Sequence, residues 1–481
     1  MLEFRPVIFV LGTLLSILAL AMVIPAIVDA LSGHPDWEVF TAAAATTLFI
    51  GVSMMLTTRS GWRGFSLRQA FLMTNLAWLV IALFGSLPFL YSQLNLDFTD
   101  AFFESMSGIT TTGATVIVGL DQAPPGILLW RAVLQWLGGI GIIVMAVAVL
   151  PILQVGGMQL FRVEAFEADK VLPRAAQIAG GISVVYVALT AVAAITLWIL
   201  GMTGFEAIAH AMTSIATGGF STSDRSIANF ESAAIDWAIC VFMILGSLPF
   251  VLYLRAVRGN FRAVLRDSQV RWFLSIIVLS VGLVAFWLWM ERIMEGGAAL
   301  RYAAFNAISI MTGTGYATAA FDDWGGFAMA IMFVLMFVGG CAGSTTCGIK
   351  IFRFQVLHAT AVTQLKRLLH PRGVFFPYYN RRPIPEAVSA SVMGFFFLFV
   401  GCFGFLAMGL GFMGLDFITA VSGAASAIAN VGPGLGEIIG PAGTYKTLPD
   451  GAKWLLAAGM LLGRLELFTV LVLLTPGFWR G

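Results

Sequence analysis

The sequence is short of charge. Only 11% of its 481 residues are Asp, Glu, Lys or Arg, less than half the roughly 25% of an ordinary soluble domain. That little charge cannot solvate a large water-facing surface, which excludes a soluble multidomain enzyme and a disordered scaffold. An excess of one sign is missing too: 27 Lys+Arg against 25 Asp+Glu leave a net charge of +2, too balanced for a phosphate-tracking nucleic-acid surface. Cysteine is scarce. Cys240, Cys341, Cys347 and Cys402 form no C-x-x-C pair and have no histidine alongside to complete a metal site, so they read as reduced packing thiols. The four histidines (His34, His210, His358 and His370) are scattered and assemble no acid–base–nucleophile cluster, which argues against a membrane-embedded enzyme. His210 reads as a packed side chain.

What the chain does have is apolar length, with 59% hydrophobic residues and a mean hydropathy of +0.92. A bilayer-spanning helix takes about 20 mostly apolar residues. Ten candidate spans fall near 5–30, 40–57, 70–92, 127–152, 178–201, 234–256, 270–290, 326–353, 387–410 and 452–475. The first is too long for the core of a cleavable signal. Between the spans lie four apolar stretches too short to cross, at 98–110, 204–216, 299–311 and 416–428, lengths that suit re-entrant segments. With residues 31–39 outside, the inner loops 57–69, 158–177, 255–271 and 353–386 carry seventeen of the 27 Lys/Arg. The outer stretches hold five: Arg225, Arg292, Arg301, Lys446 and Lys453. The positive-inside rule then places both termini in the cytoplasm and all four short segments on the outer side.

Each short segment ends in a small-residue string. The strings are Ser107 to Thr115 (SGITTTGAT), Ser214 to Ser221 (SIATGGFS), Ile310 to Ala317 (IMTGTGYA) and Ile428 to Gly434 (IANVGPG). Aligned on Gly113, Gly219, Gly315 and Gly432 they recur after 106, 96 and 117 residues. A helix–short helix–glycine turn–helix unit has therefore been copied four times behind a two-helix leader. The expected division is a leader over 1–57 and repeats over 58–157, 158–258, 259–370 and 371–481, an all-α polytopic membrane protein with pseudo-fourfold symmetry. A half-crossing helix leaves its last carbonyls unpaired and its dipole negative at the tip. Non-helical backbone at membrane depth is tolerated only where it lines a polar cavity, and glycine lets it turn its carbonyls inward. Four such turns around one axis make an oxygen ring that can replace a cation's water shell. Oxygens without acidic rings suit a weakly hydrated monovalent ion; Ca²⁺ and Mg²⁺ want carboxylates. Glu104, Glu206 and Asp416 lie near the starts of short helices, which suits helix-dipole pairing better than direct ion binding.

These strings, with Glu104-Ser-Met-Ser-Gly-Ile-Thr-Thr-Thr-Gly113-Ala-Thr, Thr312-Gly-Thr-Gly315-Tyr-Ala-Thr, Ala429-Asn-Val-Gly432-Pro-Gly and Gly463-Arg464-Leu-Glu-Leu-Phe, closely resemble the Trk/Ktr/HKT superfamily of potassium uptake proteins, and within it the bacterial TrkH/TrkG branch. The resemblance covers nearly the whole chain. It implies a K⁺ filter formed by Thr111, Thr112 and Gly113, by Thr217, Gly218 and Gly219, by Gly313, Thr314 and Gly315, and by Asn430, Val431 and Gly432. The K⁺ ions are then expected at Thr111, Thr112, Thr217, Gly218, Gly313, Thr314, Asn430 and Val431. Glycine at all four aligned positions implies a preference for K⁺ over Na⁺. The resemblance thus implies K⁺ as the transported ion, with no covalent cofactor.

Two features lie below the expected ring. The eighth span is interrupted by Gly339-Gly-Cys-Ala-Gly343-Ser344-Thr345-Thr346-Cys347-Gly348, which lacks strong helix formers apart from one alanine and reads either as a packing kink or as a polar gate across the passage. The resemblance implies the gate, with Cys347 where relatives commonly carry glycine and hence a stiffer loop. The second feature is Arg464, eleven residues past Lys453 and so about 16 Å down the last helix. A guanidinium at that depth must face a pore, a partner or water. Glu466, two residues on, points to another face. Lys350 is expected to snorkel to the inner surface, and Arg131 to lie at the outer boundary.

The loop 356–386 reads as a positive-inside segment on anionic membrane lipid, and residues 158–177 as an interfacial or partner-binding helix. The resemblance implies a homodimer in the cell inner membrane, docked on a cytosolic TrkA-like ring of nucleotide-binding regulatory subunits. Gly409-Leu-Gly-Phe-Met-Gly414 fits G-x-G-x-x-G but follows no strand, so it is rejected as a dinucleotide site. The leading expectation is K⁺ uptake through a gated pore; the alternative is a K⁺/H⁺ or K⁺/Na⁺ symporter. Carriers are built on inverted repeats, whereas these share one orientation.

Overall fold

The computed structural model describes residues 3–59, 66–148, 171–380 and 382–480. The expected helix within 158–177 lies mostly outside them. Among the described residues, seven helices are long and apolar enough to cross a bilayer: Arg5–Ser32, Trp37–Thr58, Leu67–Tyr91, Pro125–Met145, Gln177–Ile199, Ser268–Met290 and Glu386–Phe412. Their outer faces display side chains such as Phe49, Phe397 and Phe412, the last 93% exposed. A surface of that kind is stable only against hydrocarbon.

The first two helices form a hairpin at a small-residue crossing. A Cβ on Gly12 would lie 2.6 Å from the Gly51 carbonyl oxygen, and one on Gly51 2.8 Å from that of Gly12, so glycine on both sides lets the backbones meet. This leader packs on the helices beginning at Leu67 and Pro125, where Asp29 accepts the Gly126 N–H at 2.6 Å.

All four short segments are helices, Phe98–Ile109, Gly204–Ile215, Gly296–Met311 and Phe417–Ala429, each between a long helix and a glycine turn. Asp97, Thr203 and Asp416 cap the first, second and fourth through their side chains, and Glu206 completes a capping box with Thr203. Those contacts satisfy N–H groups that a helix start leaves open. Glu206 and Asp416 thus act at helix starts, as expected. Glu104 does not; it lies inside its helix, buried, with other partners.

The packing closes on itself. Each short helix rests on the inner helix of the preceding unit, and the first rests on Asp450–Arg464 of the last. Three of the four inner helices are interrupted, unlike the straight spans expected at 234–256 and 452–475. Ala233–Ser247 turns through 96° into Phe250–Val257, and Asp450–Arg464 through 108° into Phe468–Leu474. Pro249 follows the first break, where its missing N–H favours a helix start. At the second, Glu466 and Leu467 take positive φ of 61° and 54°. The expected span 326–353 is helical only over Gly326–Phe337 and resumes at Ile351–Leu369.

Candidate functional site: four glycine turns in a ring

The four short helices end identically. Thr111, Thr217, Gly313 and Asn430 take left-handed φ of 54°, 51°, 68° and 53°. Their N–H groups bond the carbonyls of Gly108, Ser214, Ile310 and Ala427 at 3.0–3.3 Å, and the next residue's N–H bonds Ser107, Thr213, Ser309 and Ser426 at 2.9–3.0 Å. This paired pattern is a Schellman cap. It corrects the expectation of wholly unpaired tips, because two carbonyls of each last turn are satisfied within the turn. Two of these caps use threonine, a β-branched residue that resists positive φ, at a cost of about 1–3 kcal/mol each.

Two residues on, Gly113, Gly219, Gly315 and Gly432 are left-handed again, with φ of 86°, 77°, 80° and 108°. The strands then meet in cyclic order. A Cβ on Gly113 would lie 2.2 Å from Gly218 O, one on Gly219 1.8 Å from Thr314 O, one on Gly315 2.1 Å from Val431 O, and one on Gly432 2.7 Å from Thr112 O. No side chain fits at any of the four. Asn430 ties the last strand to the first, donating to Thr112 Oγ1 at 2.8 Å, and also bonds Met460 O at 2.9 Å. The Thr111 hydroxyl is buried with no hydrogen-bond partner among the described residues.

Buried side chains hold the strands from behind. Glu104 accepts from Thr115 Oγ1 and Val116 N–H and pairs with Arg131 at 2.8 Å. Arg131 donates to Ser221 O at 2.7 Å and lies over the Phe220 ring, so it is an interior prop. Gln135 bonds Gly218 O and Phe220 N–H, and His210 Nε2 lies 3.0 Å from Ser221 Oγ. In the fourth strand Ser426 and Tyr445 both donate to Gly432 O at 2.8 Å. Arg131, Gln135 and Tyr445 were missed as props from sequence; polar groups within apolar stretches are the only signal that points to them.

Below the ring, Gly138, Gly246 and Gly463 let inner helices touch the short-helix tips. Cβ atoms there would lie 1.9 Å from Ile109 O, 2.7 Å from Ile215 O and 2.0 Å from Ile428 O. The second unit is also met here by the third unit's loop, residues 338–350. Its Thr345 Oγ1 donates to Ile215 O and Gly246 O and lies 3.2 Å from Thr217 Oγ1, while Phe250 N–H bonds Gly343 O. Ser344 and Thr346 share a hydroxyl hydrogen bond at 2.8 Å. The loop is thereby sewn to the break in the second unit's helix. Arg464 reaches it from the last helix, donating to Thr345 O at 3.2 Å, Cys347 Sγ at 2.6 Å and Gly138 O at 2.8 Å. Lys350 does not snorkel: it is buried and bonds the Thr346 carbonyl and hydroxyl. Glu466 pairs with Arg353, not Arg464.

Re-entrant helices whose capped tips converge on one ring, inside a lipid-facing bundle, define a polytopic membrane protein built around a polar passage. Residues 37–478 match the family model TrkH, described as cation transport protein, and the chain belongs to that family of transport proteins. It is 46% identical to "Trk system potassium uptake protein TrkI" of Halomonas elongata, with 99% of this chain and 97% of that protein aligned. It is 40% identical to "Trk system potassium uptake protein TrkH" of Vibrio parahaemolyticus over the full length of both. The crystal structure of the potassium transporter TrkH from that organism superposes with a TM-score of 0.93 at 39% identity, covering all of both chains.

Proposed function

We propose that the chain carries K⁺ into the cell across the cytoplasmic membrane through the ring, with carbonyls of residues 111–113, 217–219, 313–315 and 430–432 replacing the ion's water. The cyclic contact of each ring glycine with the next strand's carbonyl carries this reading, because it holds four liganding strands in register around one axis. The four-repeat division, the names of the relatives and the scarcity of carboxylates on the ring support a monovalent ion. Gly343, Ser344, Thr345, Thr346 and Arg464 form the gate: a cation under the ring repels K⁺, and its hydrogen bonds to Thr345 and Cys347 hold the loop shut. The Lys/Arg asymmetry supports cytoplasmic termini. The active assembly is a homodimer on a cytosolic nucleotide-binding ring.

The test is reconstitution in liposomes with equal K⁺ on both sides, following tracer Rb⁺ and Na⁺ while voltage and pH gradient are varied separately. Flux that prefers Rb⁺ and follows voltage is the expected result. Flux that requires the proton gradient would replace the pore with a symporter.

A further inference from the structure

We propose that Gln135 is a positioning residue for ion selection, holding one of the four ring carbonyls in place and weakening it as a ligand. The inference rests on the conduction reading above. Gln135 is fully buried on the unbroken helix Pro125–Ala148, and both ends of its amide are committed to the second strand. Nε2 donates to Gly218 O at 2.6 Å, and Oε1 accepts the Phe220 N–H at 3.1 Å. A carbonyl at one end and an N–H at the other dictate which way the amide points. The side chain therefore bridges Gly219 as a paired strand would. Arg131, one turn earlier on the same helix, takes Ser221 O, so peptide groups from 218 to 221 are held from this one helix.

The ring is unequal as a result. The carbonyls of Thr112, Thr314 and Val431 stand in the same register against the neighbouring glycines, yet among the described residues no side chain donates to them. Of these four, among the described residues, Gly218 O alone shares its lone pairs with a side-chain donor. A carbonyl so engaged draws a cation less strongly, and it is less free to close in on a smaller ion. Both effects bear on K⁺ against Na⁺, because collapse around Na⁺ is what a ring of mobile carbonyls fails to prevent. The fit is close: a Cβ on Gly218 would meet Gln135 Oε1 at 2.4 Å.

Two variants separate tethering from packing. Gln135→Leu fills similar volume without either hydrogen bond. Gln135→Met keeps the unbranched length of the side chain but again makes neither hydrogen bond, so tethering gives the same loss in both variants whereas packing gives a loss that follows side-chain shape. In liposomes the Leu variant is expected to lower the Rb⁺/Na⁺ flux ratio about fivefold, in line with one neutral hydrogen bond. The Met variant should match that loss while total Rb⁺ flux and the thermal unfolding midpoint stay near wild type.

A wild-type ratio in the Met variant, or a loss in the Leu variant that the Met variant does not share, would reduce Gln135 to packing. Should the Leu variant fail to elute as a single species, the ratio of the Met variant decides alone. Failure of the conduction reading looks different: wild-type liposomes would themselves show no preference for Rb⁺.

Discussion

Serine at Gly113 is the sharpest test of the ring. A Cβ there lies 2.2 Å from the Gly218 carbonyl oxygen, whereas a relaxed carbon–oxygen contact begins near 3.3 Å, so one strand must yield by about 1 Å. The yielding strand has little room, because Gly218 O is already held by Gln135 at 2.6 Å. The φ of +86° adds about 1–2 kcal/mol of strain for an L-residue. Moving one liganding oxygen by that distance forfeits most of a charge-assisted contact, about 1.5–3 kcal/mol. Every 1.4 kcal/mol is tenfold, so the Rb⁺/Na⁺ ratio should fall by at least about tenfold. Tracer flux in liposomes measures it. Gly119→Ala is the matched control: its φ is +82° with nothing within 4 Å of a Cβ, so it carries the strain without the clash and should leave the ratio unchanged. Gly432→Ser, whose Cβ stands 2.7 Å from Thr112 O, should lose less than Gly113→Ser. A Gly113→Ser protein that keeps the wild-type ratio, or a Gly119→Ala protein that loses as much, would refute the argument.

Removing Arg464 as Arg464→Ala, or deleting Gly343 to Thr346, should raise basal flux without changing the order of ions; a well-folded variant with lower flux would count against a gate. Glu104→Gln leaves Arg131 charged and unpaired in the interior, and should destabilise by about 3–5 kcal/mol, read as a lower midpoint in thermal unfolding, with part of the loss recovered in Glu104→Gln/Arg131→Met. Arg353→Met should do the same to Glu466 and also release the last helix at its break; faster proteolysis around residue 466 in Arg353→Met than in wild type would show it, and identical cleavage would oppose it.

Much of the fold is legible in the sequence because its signals are local. A run of apolar residues reports a span from its own length, and Gly and Thr at the end of a half-length run report a turn. Hence the seven straight spans, the four short helices and the register of Gly113, Gly219, Gly315 and Gly432 can all be read from the chain alone. The charge asymmetry is likewise a local signal, and it is what the proposed orientation rests on. The tertiary structure decides what depends on distant partners. Glu104 finds Arg131 across 27 positions, Arg353 finds Glu466 across 113, and Lys453 finds Asp100 across 353. No periodicity encodes such pairs; each exists because a polar group in an apolar interior must be satisfied by whatever the packing brings. The same necessity keeps Lys350 inside and aims both ends of Gln135 at one strand. It also explains the bends at Ser247 and Arg464, where the loop 338–350 and the Arg353–Glu466 pair replace contacts that a straight helix would supply to itself.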